Sequence, residues 1–349
     1  MSTLAHHPPA IAVPANARSE DAPGTFAYGV VRSLVLALCL SLLYVYFPWD
    51  DFSAAGFPDR ESYLQGIDVL MASGARPFDF TGTDLITVLT NEFLWRQVLV
   101  ILGTYFQNPL EGFLIVCVIT CTLLMYHVIR RAGLGYALLT LSCPLTIDLV
   151  MSQTRSALAV ACFMFALEAR GRTLRYVLLF GAFFIHTFGA ILFLLFHFDA
   201  LVLAWRRLSS RQKIVAVMAA GLAASVTMAF LSEIILLAVG DRRAAQMALL
   251  PSTITFAIWW LILTAMFAAF ARLRTQPARG HFVLTAVFMQ SVFVFSTFLA
   301  TGALRFLSLA LPASSIAIQT FPSRSMRIGA AAGTLVFNIV YFAFYWLAW

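Results

Sequence analysis

The sequence predicts an all-α polytopic integral membrane protein, and three observations carry that reading. Of 349 residues, 61% are hydrophobic and only 11% charged, against roughly 45–50% and about 25% in soluble domains. Mean hydropathy is +0.87. Apolar runs near the ~20 residues that a bilayer crossing needs recur along the chain, divided by short charged turns. No interval between them could hold a separate soluble core, so residues 28–349 read as one membrane domain with an outside loop at 48–108. Residues 1–27, rich in Ala, Pro and His, read as a disordered cytoplasmic tail. That tail has no apolar core of the kind a cleavable signal peptide carries, so the first run is expected to act as a signal anchor.

About eleven transmembrane segments are expected, including short or broken ones, at 28–47, 109–129, 134–151, 155–169, 174–186, 188–205, 213–231, 252–271, 282–301, 304–321 and 328–347. This threading puts the N-terminus inside. It leaves 16 of the 23 Lys and Arg residues on the cytoplasmic side and 7 outside, the bias that positive-inside topology requires. The segment 86–106 is hydrophobic but holds Glu92, Arg96 and Gln97. As a span it would carry Arg130 and Arg131 to the outer side, so it is expected to lie in the outer interface. Thr173 to Trp205 is one largely apolar run of 33 residues between two basic flanks. Flanks on the same side demand an even number of crossings, so two short helices should turn near His186-Thr187. Non-helical backbone at that depth needs cover from protein or a watery cavity.

Two polar residues in this apolar context ask for a role. Arg155 opens the 155–169 run, which carries Ala157, Ala159, Ala161, Ala166 and Ala169. Such small residues allow close helix approach and a central position. His186 sits at the expected turn. Both fall on the outer side in this threading. The five cysteines lie within apolar runs, and neither a carboxylate nor a histidine completes a metal set around Cys117 and Cys121. They read as packing residues, with no disulfide framework, no metal site and no cofactor.

The pattern Gln153-x-Arg155-x-x-Leu158-Ala159, a basic turn, then Phe184-Ile185-His186-Thr187 resembles the EpsG family, Wzy-like polymerases of exopolysaccharide and O-antigen repeat units. Asp59-x-x-x-Tyr63, Asn91-Glu92-Phe93-Leu94-Trp95 and Asn108-Pro109 look like that family's N-terminal half, and Arg305-Phe306 like its C-terminal arginine. The chain departs from the pattern at Thr187-Phe188 and in the short loop 232–251, which has no tyrosine. The resemblance implies a fold similar to multi-span, lipid-dependent (GT-C-like) glycosyltransferases and a place in the bacterial inner membrane. It also implies an undecaprenyl-diphosphate-linked oligosaccharide as substrate, other polysaccharide export or assembly proteins as partners, and no nucleic acid.

On that resemblance the catalytic set is His186, Arg155, Glu92 and Asp59. Arg155, Arg305, Arg242, Arg243, Gln153 and Tyr63 would bind substrate and its diphosphate. Arginine suits a diphosphate because its planar fork binds phosphate oxygens bidentately and stays charged. His186 would orient the acceptor hydroxyl or act as its base, with Glu92 and Asp59 as alternative bases or sugar binders. A transporter or flippase of lipid-linked sugars, or a non-catalytic subunit of a polysaccharide assembly complex, is the competing reading.

Overall fold

The computed structural model describes residues 23–52, 56–79, 92–239, 254–273, 277–299 and 304–346. Among them every regular element is helical. The helices in chain order are α1 (Pro23–Val45), α2 (Pro58–Ala72), α3 (Phe93–Tyr105), α4 (Pro109–Ala132), α5 (Leu134–Leu141), α6 (Pro144–Met151), α7 (Thr154–Glu168) and α8 (Arg172–Ile185). They continue as α9 (Gly189–Ala204), α10 (Ser210–Val239), α11 (Ile254–Phe270), α12 (Pro277–Phe298), α13 (Leu304–Ala317) and α14 (Arg324–Tyr341). Most of the expected N-terminal tail lies outside the described residues.

The protein is a helical membrane protein by composition and by surface. Helices α4, α10, α12 and α14 are long and apolar enough to cross a bilayer. The pair α5 and α6 makes a fifth span if taken together. The expected eleven crossings therefore do not appear as eleven long helices. Apolar side chains cover the outer faces, with Leu43 75% and Leu194 68% exposed, a pattern that water would penalise and hydrocarbon accepts. Helices α4 and α12 form the centre, with 72% and 78% of their apolar windows buried, whereas α10 and α14 at 28% each are peripheral. Helix α4 packs against α1 and α7, and α12 against α10, α11 and α13.

Local chemistry sets the helix ends. Asn108 caps α4 by accepting from the Leu110 N–H at 3.1 Å, Pro109 fills the first position, and Glu111 sits where the helix dipole favours an anion. At its other end Arg130 and Arg131 match the dipole, and Gly133 at φ +97 closes the helix onto the carbonyls of Val128 and Ile129.

Three breaks position the site. Residues 134–151 were expected to form one span, but Pro144 lacks the N–H that would continue α5, and the chain bends by 80° into α6. The second break lies at Ser152-Gln153, where both N–H groups return to the Asp148 carbonyl before α7 starts. The third is the turn at His186-Thr187. His186 is extended (φ −150, ψ 134), the Gly189 N–H donates to the His186 carbonyl at 2.7 Å, and α9 folds back along α8. Gly189 is required there, since a Cβ would lie 2.4 Å from the Phe183 nitrogen. With 14 and 16 residues, α8 and α9 are only about 21 and 24 Å long, short of a ~30 Å hydrocarbon core. One boundary differs from the sequence reading: α10 continues through Val239 instead of ending near 231.

Candidate functional site

The site forms where the start of α3, the start of α7 and the α8–α9 turn meet. Glu92 caps α3 in the left-handed region (φ 51, ψ 53). A non-glycine residue there costs on the order of 1–3 kcal/mol and persists only where its surroundings impose it. The imposing contacts are evident. The Glu92 carboxylate accepts from Arg155 Nη1 on one oxygen and from His186 Nδ1 on the other. The Thr187 N–H donates to that second oxygen at 3.3 Å. The Glu92 and His186 side chains are each 12% exposed, Arg155 24%.

Arg155 occupies the first turn of α7, where the positive end of the helix dipole disfavours a cation. Glu92 offsets that cost. Beneath the guanidinium lies Tyr63 of α2, with Arg155 Cζ 5.5 Å from the ring centroid. Tyr63 is itself buried against Trp95 and Phe113, and its hydroxyl is buried without a hydrogen-bond partner. Burial pushes that phenol up, so it keeps its proton.

For Glu92, burial alone would raise the carboxyl's pKa. The hydrogen bond from His186, the charges of His186 and Arg155, and the Thr187 N–H outweigh it and hold the group down at about 2. The shared proton therefore belongs to the imidazole. With Nδ1–H committed to Glu92, the neutral imidazole carries its lone pair on Nε2. Because Arg155 already compensates the Glu92 charge, the imidazole can stay neutral and remain bound.

Asp59 and Arg305 form a second, more open pair, Nη2 to Oδ2 3.3 Å, with side chains 26% and 60% exposed. The Asp59 N–H donates to Ser152 Oγ at 3.3 Å, tying α2 to the break before α7. Phe306 at the start of α13 meets Phe188 edge-on, with centroids 5.5 Å apart, which brings this pair beside the α8–α9 turn.

Of the residues singled out from the sequence, Glu92, Arg155 and His186 are in direct contact, with Tyr63 against Arg155 and Asp59–Arg305 alongside. Gln153 turns away from the centre, its amide nitrogen donating to the Asp148 carboxylate. Arg242 and Arg243 lie outside the described residues. Asp148 is not among the residues singled out from the sequence, although a lone acid inside an apolar run is a recognisable signal. Thr187, for which the sequence suggests no role, supplies a backbone donor. Among the described residues, the Glu92 carboxylate faces the Arg155 guanidinium and the Asp59 carboxylate faces that of Arg305. No group of three His, Cys, Asp or Glu among the described residues is placed to hold a metal ion.

The fold and site define a helical membrane protein with a half-buried Glu–Arg–His centre at a helix break. No protein-family model, curated protein or solved structure matches the chain.

Proposed function

We propose that this protein polymerises polyprenyl-diphosphate-linked glycan repeat units at the outer face of the bacterial inner membrane, in exopolysaccharide or O-antigen synthesis. One observation carries the reading: a single carboxylate, Glu92, is bound at once by Arg155 and His186 at a helix break. It joins three residues of the pattern that resembles the EpsG family, although they lie far apart in sequence. The positive-inside charge count supports an outer location for this end of the protein, with about eleven crossings when the short and broken helices are included.

In this mechanism Glu92 fixes the His186 tautomer, and Nε2 takes the proton of the acceptor hydroxyl as that oxygen bonds to the anomeric carbon of the donor glycan. The bond from that carbon to the diphosphate oxygen breaks, and its electron pair leaves with the lipid diphosphate. Arg305, the more exposed cation and only loosely paired, turns from Asp59 toward the departing charge. Arg155 stays with Glu92 and contributes field at the site; Arg242 and Arg243 join Arg305 on the diphosphate. Asp59 is left to bind the acceptor sugar.

Deleting the gene and separating lipid-linked glycans on a gel tests the proposal. Loss of polymerase activity leaves single repeat units where the wild type shows a ladder. A transporter of lipid-linked sugars is the second reading, favoured by the 80° break between α5 and α6, since broken helices line substrate paths in transporters. Its loss would instead trap the lipid-linked units in the inner leaflet.

A further inference from the structure

Away from the Glu92 centre, α5 and α14 enclose a groove of about 560 Å³, within the roughly 300–1,000 Å³ of ligand pockets. A tether holds one end, where Asn338 Nδ2 donates to the Leu139 carbonyl at 3.0 Å and to Ser142 Oγ at 2.9 Å, and Tyr136 stands at the other. The wall between them is open, and a Cβ placed on Gly135 would meet nothing within 4 Å. Leu138, Ile328 and Leu335 line the groove and are 49%, 56% and 43% exposed, so it faces outward from the bundle.

The Tyr136 end is cationic. Arg327, beside lining residue Ile328, lies close enough for its charge to act on Tyr136 and on Arg279, and Arg131 acts on Arg279 as well. Among the described residues no carboxylate pairs with Arg327, because Glu168 is taken by Arg130 and Arg131. Arg327 also stands in the first turn of α14, whose N-terminal N–H groups and dipole favour an anion. An apolar groove with Arg327 near one end fits a ligand that is apolar along its length and anionic at one end.

We propose that this groove holds an acyl chain of an anionic membrane phospholipid, with the lipid phosphate at Arg327. Chain burial supplies retention and the arginines supply headgroup selectivity. The inference shares no residue with the Glu92 centre, and its test reads lipid retention and not glycan transfer, so either can fail alone.

The experiment is native mass spectrometry of the purified full-length protein titrated with phosphatidylglycerol, with phosphatidylcholine of the same chains, or with inorganic phosphate. The wild type should retain phosphatidylglycerol at least about fivefold over phosphatidylcholine. Arg327→Gln should reduce that preference by about fivefold while leaving chain-dependent retention. Ala332→Trp, which fills the groove, should lower retention of both lipids; if it does not purify as a monodisperse species, Gly135→Phe replaces it. Equal retention of the two lipids by the wild type would overturn the proposal. So would undiminished phosphatidylglycerol binding in the filled groove, or displacement of the lipid by inorganic phosphate alone.

Discussion

The two ends of α7 carry the same chemistry in two different constructions. At one end Arg155 is held by Glu92, which also binds His186. At the other, about 22 Å away along a 15-residue helix, Glu168 accepts from Arg131 Nε at 2.7 Å, with Arg130 at 3.5 Å and His127 Nδ1 at 3.3 Å. Each end of α7 bears the charge its dipole disfavours, a cation first and an anion last, and each recruits counter-charge from a neighbour. The sources differ. Arg130, Arg131 and His127 all come from one face of α4, at i, i+3 and i+4 spacing. The His127 side chain is wholly buried, its ring 4.2 Å from that of Phe165. That centre is a fastener between two helices. The Glu92 centre draws on three separate elements, uses left-handed and extended backbone, and leaves His186 partly exposed. Residue types alone would not separate fastener from site; backbone irregularity and access do.

The strongest way to sharpen this comparison is Glu168→Gln. It leaves Arg131 largely buried without its anion and should cost about 3 kcal/mol in detergent unfolding, while molecules that remain folded keep full transfer activity. Next in size, Gly189→Ala should cost about 2–3 kcal/mol by forcing the α8–α9 turn apart, read as a fall in thermal midpoint. Here activity and stability should drop together, since the turn carries His186.

The pH response of Glu92 gives a third contrast. Its pKa is depressed in the folded protein to about 2, against ~4.3 unfolded. The stability it contributes is therefore fully present above about pH 5 and is lost as pH falls toward 2. Because Glu92 also binds His186, whose imidazole titrates near neutral pH, the gap in unfolding free energy between wild type and Glu92→Gln should be constant between about pH 8 and 9 and should change only as pH falls below that range. A gap that varies between about pH 8 and 9 would contradict the arrangement. The smallest effect is expected at the open Asp59–Arg305 pair, where Arg305→Ala should shift stability by less than about 1 kcal/mol yet lower transfer measurably.

Much of this arrangement was legible in the sequence because it rests on counting. The basic flanks of the 173–205 run required a reversal near His186, and the charge bias set Arg155 at the same end. The pairing through Glu92 was less legible. That residue stood among the candidate bases, but its position between Arg155 and His186 depends on a left-handed backbone that no local pattern dictates. Gln153 followed the motif yet faces Asp148, because the turn before α7 directs its side chain back toward α6. The bend within 134–151 had a signal, Pro144, that hydropathy outweighed. Glu168 and His127 are 41 residues apart on different helices, so only tertiary packing could pair them.

The most direct measurement complements a deletion strain with His186→Ala and with His127→Ala at matched protein levels and compares the glycan ladders. The first should lose the ladder, a drop of about 10²–10⁴ in transfer, and the second should restore it. A ladder restored by His186→Ala, or lost equally in both, would contradict the assignment of the Glu92 centre as the functional one.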